Sequence, residues 1–245
     1  MSHNSSRVGT VLLMAAIFAV LAIGLMMFGV HFALWEPIVG FGLIRTYMNP
    51  IAYGVIGLGV TGLIYQFAMR NRSGAVKALI TCLVGAGLLA PMIYGQVQPS
   101  VSFPPIHDIT TDTSNPPVFM VLDDNRAGAK NTLVYGGPEV AAQQHKAYPD
   151  IAPIQSNKPA PAVFAEVLRV GKAMGWEIVA QDPGGFRFEA TARTPVYRFV
   201  DDVVVVVTSV GSASRIDIRS VSRIGRGDRG VNAARIREFI EAFEH

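Results

Sequence analysis

The sequence predicts an α-helical membrane anchor of three transmembrane helices, followed by an α+β outer domain built as helix, four-stranded antiparallel meander, helix. Three observations lead there. Half of the 245 residues are hydrophobic and only 16% are charged, where soluble proteins carry about 25%. The charge is unevenly spread: residues 1–99 hold five Lys/Arg and one Glu, and residues 100–245 hold the remaining sixteen and seventeen. After residue 159 the apolar period runs from helical to alternating and back to helical. The predicted boundaries are 1–98 for the anchor, 99–158 for an extended Pro-rich connector packed on the domain, and 159–245 for the domain itself.

The anchor rests on apolar runs long enough to cross a bilayer, which takes roughly 20 helical residues. They are Val8 to about Phe32, Pro50 to Met69, and Val76 to Tyr94, none with a charge at its centre. Lys77 lies near the start of the third and can snorkel to the interface. A cleaved signal peptide is the rival for the first run; no small-x-small cleavage site follows it, and an uncleaved helix is expected. Arg7 precedes the first run, and Arg70, Arg72 and Lys77 lie between the second and third, against Glu36 and Arg45 between the first and second. Basic residues favour the cytoplasmic side. The expected location is a bacterial inner (cytoplasmic) membrane, multi-pass, with the N-terminus cytoplasmic and the C-terminal domain periplasmic. The lipid bilayer is therefore the first expected partner.

The second run contains Gly57-Leu-Gly59-Val-Thr-Gly62, a formal dinucleotide fingerprint. That motif needs a strand before it and a soluble helix after it. In a membrane span its small residues let helices approach closely, and Gly54, Gly57 and Thr61 are the expected packing face. His31 and Glu36 are ionisable groups near a span and so functional candidates, but both lie within reach of the interface, and an interfacial pair with no ligand role is expected. Cys82 is the single cysteine and permits no intramolecular disulfide.

The connector has prolines at 99, 104, 105, 116, 117, 138, 149, 153 and 159, which remove backbone donors and interrupt helix and ladder alike. Residues 138–147 can form one short helix. Phe103, Phe119, Tyr148 and the run Val118-Phe-Met-Val-Leu122 need burial, so the segment is expected to be ordered. His107, Asp108 and Asp112, with Asp123 and Asp124 beyond, are the weak candidates for metal ligands. Their spacing matches no recognisable zinc pattern, and Asp and Thr here equally make turns. No metal and no cofactor is expected.

In the domain, Pro161 opens a helix carrying Phe164, Val167, Leu168 and Met174 on one side, and Gly175 stops it. Residues 176–181 read as a strand and 182–185 as a turn. Phe186, Phe188, Ala190 and Ala192 then alternate with Arg187, Glu189, Thr191 and Arg193, a half-buried strand. Residues 203–207 are apolar on both faces, so that strand is central. A turn at 211–214 leads to a fourth strand at 215–223. The last helix carries Val231, Ile236, Phe239, Ile240 and Phe243 towards the sheet.

Several blocks resemble a known family: His107-Asp-Ile-Thr-Thr-Asp112, Pro116-Pro-Val-Phe119, Tyr148-Pro-Asp-Ile-Ala-Pro153, Met174-Gly-Trp176, Phe199-Val-Asp-Asp202 and the stretch from Asp217 to Asn232. Together they are similar to domain-of-unknown-function family 1499 in its membrane-anchored bacterial form, over about residues 104–243. The resemblance implies the domain boundaries and an envelope location, and assigns no catalytic residue. One departure stands out: Val206 occupies a place where the family pattern suggests Arg.

The stretch 215–237 holds seven arginines against two aspartates. Within it Ser222, Arg223, Gly225, Arg226, Gly227 and Arg229 form an anion-binding candidate, since the amides of a glycine turn and a helix N-terminus attract anions. The alternative is structural: Asp228 caps the helix, while Asp201, Asp202 and Asp217 pair with the arginines across strands. The near-neutral outer domain argues against nucleic acid.

Three function classes remain. The first is a binding or assembly module docking an envelope protein partner. The second is an anionic lipid or glycan-binding domain. The third is a hydrolytic enzyme, for which His107 and His145 come with no nucleophile elbow or paired carboxylates; no catalytic residue is assigned.

Overall fold

A computed structural model describes residues 2–97 and 103–245. The chain forms two compact units, one built on the three N-terminal helices and one on residues 103–194 and 199–245.

In the first unit, α1 (Ser2–Phe28) ends in a short 3-10 turn, and α2 (Pro37–Ala68) and α3 (Arg72–Val97) follow. All three are long and apolar enough to cross a membrane. The second helix starts thirteen residues before the expected Pro50, so Arg45 lies inside it and not in a loop. Pro37 sits in its first turn, where a missing N–H costs nothing. Pro50 and Pro91 are accommodated within α2 and α3, as membrane helices tolerate. At 32 residues α2 is about 48 Å long, more than the ~30 Å hydrocarbon core of a bilayer.

The expected packing face is corrected. A Cβ on Gly54 or Gly57 would meet nothing within 4 Å, and Thr61 bonds back to its own helix at the Gly57 carbonyl. The close contacts lie at Gly59, where a Cβ would come within 2.5 Å of Cys82 Sγ and 2.7 Å of its amide, and at Gly62 against Leu12. Helical phase explains the difference: Ala52, Val55, Gly59, Gly62 and Gln66 repeat at three- and four-residue steps and are all buried.

The second unit is a six-stranded antiparallel sheet, ordered β1-β6-β5-β4-β3, with β2 also pairing β6. The strands are β1 (Asp108–Thr110), β2 (Ile154–Ser156), β3 (Glu177–Asp182), β4 (Arg187–Arg193), β5 (Val200–Val210) and β6 (Ala213–Ser222). Four of them make the expected meander, and β5 is central. The other two come from the connector and lie end to end along β6, Ile109 opposite Ser220 and Ile154 opposite Ile216. They close an edge that would otherwise leave a row of amides and carbonyls unpaired. The opposite edge, β3, carries a bulge between Ile178 and Ala180, a common protection of free edges.

Helices α5 (Ala160–Ala173) and α6 (Val231–Glu244) cover one face. Phe188, Ala190, Val203, Val205, Ile216 and Ile218 project there and pack on Val163, Val167, Ile236 and Phe239. Trp176 stacks on Phe239 at 5.2 Å between ring centres. The short helix α4 (Gly137–Ala147) tucks Gln144 under the sheet edge, where its amide group exchanges bonds with the Thr110 backbone at 3.0 and 2.6 Å.

Candidate functional site

The other face of the sheet follows from strand parity. Thr191 and Glu189 of β4, Asp202, Val204 and Val206 of β5, and Arg215, Asp217, Arg219 and Val221 of β6 share it. An uncovered sheet would leave these charges in water. Here the connector crosses the face, and they are buried: Arg219 and Glu189 are each 2% exposed and Asp202 is fully buried. Burial of that kind demands partners for every donor and acceptor.

Each buried charge has them. Arg219 donates to both oxygens of Asp108 at 2.9 and 2.7 Å and to the carbonyls of Pro117 and Leu133 at 3.1 and 2.7 Å. Its guanidinium also sits over the Phe119 and Tyr135 rings at 5.6 and 5.4 Å. Asp202 accepts from Arg126 at 2.5 Å, from Arg223 at 2.8 to 3.1 Å, and from Thr191 at 3.2 Å. Arg215 joins Asp217 to Asp112. Burial acts to raise the Asp112 carboxyl, but the amides of Asn115 and Ser114 and the Arg215 guanidinium outweigh it and hold it below its ordinary value. Burial pushes the Tyr135 hydroxyl up to about 12, with nearby Asp108 adding to the rise.

Glu189 does something different. Its carboxylate accepts three successive backbone amides: Met120 at 2.5 Å, Val121 at 3.2 Å and Leu122 at 2.7 Å. Arg187 approaches the same carboxylate and donates to the Val118 carbonyl. This clamps the run 118–122 so that Phe119 packs inward on Val204 and Val221, with Leu122 beside them. Val118, Met120 and Val121 are left 65%, 71% and 61% exposed. Val134 is 74% exposed, and it follows Leu133, whose carbonyl shares the Arg219 guanidinium with that of Pro117. One guanidinium therefore holds both ends of an aliphatic platform.

The predicted anion-site residues do not share one surface. Ser222 lies on the helix face, where its Oγ accepts from Asn232 at 2.9 Å. Arg223 turns the opposite way, onto Asp202 and the Ala127 carbonyl. Gly225, at φ +98°, offers its carbonyl to Asn131, and Gly227 is crowded by Pro104 and Pro105. Arg226 and Arg229 are exposed and have no side-chain partner among the described residues.

Asp228 takes up the start of α6, accepting from Gly230 at 2.9 Å and Asn232 at 2.7 Å. It does so from upstream, since the N-cap position is Gly230 in the left-handed region, at φ +83°. Burial holds the Asp228 carboxyl above its ordinary value, against the lowering pull of those two amides. On the helix face Arg235 pairs with Asp201 at 2.6 Å and also reaches Asn232 and Ser220.

The metal candidates are spread among other duties. Asp108 binds Arg219, Asp112 binds Arg215 and its own turn, and His107 Nδ1 lies 3.4 Å from the Arg226 carbonyl. Among the described residues no group of three or more His, Cys, Asp or Glu is placed to hold an ion.

Sequence reasoning missed the platform and the Glu189 clamp. In sequence the run 118–122 reads as uniformly apolar, which implies burial of all five residues. The one available signal was that five consecutive apolar residues beside Pro-Pro cannot all face one way.

No curated relative matches the chain. A family model described as "Protein of unknown function (DUF1499)" matches residues 108–243, from the first strand of the sheet to the end of its last helix. By that match, which spans more than half of its length, the chain belongs to the DUF1499 family.

Proposed function

We propose that this protein is a membrane-anchored binding module whose outer domain docks a protein partner of the cell envelope on the platform of Val118, Met120, Val121 and Val134. The observation that carries the reading is the Glu189 clamp. A buried carboxylate and a buried guanidinium hold exposed aliphatic side chains in a fixed arrangement. Contiguous exposed apolar surface marks interaction sites, and a preorganised surface loses less entropy on association. The distribution of Arg7, Arg70, Arg72 and Lys77 supports a domain outside the cytoplasm, periplasmic in a Gram-negative cell.

The test is co-purification from membranes in mild detergent. Wild type carries a stoichiometric partner. Val118→Ser with Met120→Ser and Val121→Ser loses it while the melting temperature stays within a few degrees, because these side chains stabilise little of the fold. Retention of the partner by the triple variant, or a wild type that always runs alone, refutes the reading.

A second reading places an anionic lipid or glycan at the Arg226–Arg229 turn. It is favoured by those two unpaired cations. Its sign is binding of the protein to a phosphate- or carboxylate-bearing ligand that Arg226→Ala with Arg229→Ala abolishes.

A further inference from the structure

The turn between α2 and α3 carries a feature that docking of the outer domain does not use. A groove of about 600 Å³ opens between the two helices there, within the size range of small-molecule sites. Leu63 and Phe67 of α2 and Ala75, Val76 and Leu79 of α3 form its walls. Phe67, Val76 and Leu79 are 71%, 57% and 48% exposed, so the described residues leave these walls uncovered. Leu63 lies seven residues before Arg70, which places the far end of the groove about 10 Å along the helix from the turn. That depth spans the interfacial layer and the first acyl carbons.

The mouth is cationic and built. Arg70 and Arg72 both line the groove, and neither guanidinium has a partner among the described residues. The single acidic residue of the first 99, Glu36, precedes α2 at its other end. Arg70 adopts φ +52°, a left-handed conformation in which glycine is unstrained and other residues are not. A helix C-terminus favours a cation in its last turn, but that requirement does not select a strained backbone position.

The floor is polar and fixed. Gln66 is fully buried and accepts from Asn71 Nδ2 at 3.0 Å, and the Gly74 amide donates to Asn71 Oδ1 at 3.3 Å. Gly74 has no side chain for a reason: a Cβ there would collide with the Gln66 carboxamide.

We propose that this groove holds one anionic phospholipid of the bilayer leaflet at the α2–α3 turn, its phosphate between Arg70 and Arg72 and its upper acyl carbons against Phe67, Val76 and Leu79. The occupant follows from charge and place. The groove is open to the side, apolar along its length and doubly cationic at the interfacial end, the complement of an anionic lipid. A free phosphate would leave the apolar walls bare, and a zwitterionic lipid would bring a second cation to the arginines.

Full-length protein is exchanged into mixed micelles holding equal phosphatidylglycerol and phosphatidylcholine, and retained lipid is read by native mass spectrometry. Wild type keeps one phosphatidylglycerol with at least about tenfold preference. Arg70→Gln with Arg72→Gln removes the preference. Ala75→Trp fills the groove and displaces the lipid with both arginines intact. Lys77→Gln, whose ammonium is bound to Thr10 and which does not line the groove, leaves the preference in place. The proposal is overturned by a wild type that retains both lipids equally, by a preference that survives the arginine pair of changes, or by an equal loss on Lys77→Gln, which would mean a diffuse field and not a site.

Discussion

At the scale of single residues, the C-terminal domain depends on charges that water never sees. Arg219 is the plainest case. Removing it leaves Asp108 buried without its bidentate partner, and breaking a buried pair costs about 3–5 kcal/mol. Arg219→Leu is expected to lower the melting temperature of the detergent-solubilised protein by many degrees. Adding Asp108→Asn to it should recover part of the loss, because the uncompensated charge is then gone. Asp228 behaves oppositely. Its folded pKa lies above its ordinary value of 3.8, so the folded state holds the proton more tightly than the unfolded chain. Its contribution is fully present below the unfolded pKa and is lost as pH rises through the folded pKa. Asp228→Asn cannot show that loss. Relative to wild type, the variant should gain stability on going from acid to neutral pH, measured as a difference in melting temperature across the same range.

The same scale shows what could and could not be read in advance. The alternation along 215–222 by itself places Asp217 and Arg219 on one face and Ile216, Ile218 and Ser220 on the other, as the register has them. Glu189 resisted because charged residues alternating with apolar ones look solvated. Its burial depends on a segment some seventy residues earlier in the chain, and no local pattern carries that.

At the scale of elements, the long periodic segments were legible and the short ones were not. Helices α5 and α6 and strands β4 to β6 carry several periods each, so packing and pattern agree. Strands β1 and β2 have three residues apiece, too few for any period to register, and only the unpaired edge of β6 defines them. In the three-helix unit Pro50 reads as a boundary in sequence, but α2 continues through it, as helices that cross membranes tolerate.

The join between β6 and α6 offers a test at this level. Gly230 has φ +83°, and a Cβ there would come within 2.7 Å of the Phe103 ring. Gly211 has φ +62° with nothing within 4 Å of such a Cβ. Ala at Gly211 should cost roughly 1–2 kcal/mol from backbone strain alone. Ala at Gly230 should cost clearly more, since the entry of the chain at Phe103 must also shift. Chemical denaturation of both variants distinguishes strain from crowding.

At the scale of the whole molecule, composition separates the part with three helices long and apolar enough to cross a membrane from the C-terminal domain, and the jump in charge density near residue 100 marks the division. Which way round the protein sits is a further expectation. A reporter active only outside the cytoplasm, fused after His245, should be active, and the same reporter placed in the α2–α3 turn should be silent. The reverse pattern would put the platform and the arginine turn among cytoplasmic partners and the lipid groove in the outer leaflet.

The crossing of the sheet by the connector also has a consequence in time. Asp108 meets Arg219 across 111 residues of chain, and Thr111 meets Asp217 across 106. The early segment cannot find its seat until β6, near the end of the chain, has been made and, if the domain is exported, delivered. Until then Val118–Leu122 and the acidic residues beside it wait unpartnered, and contacts of such long separation form late and slowly. A chain cut before residue 213 would lack β6 and α6 and leave the connector with nothing to close upon. Synthesis of this domain therefore has a vulnerable interval that lasts nearly its whole length, during which a holding chaperone on its side of the membrane would protect it.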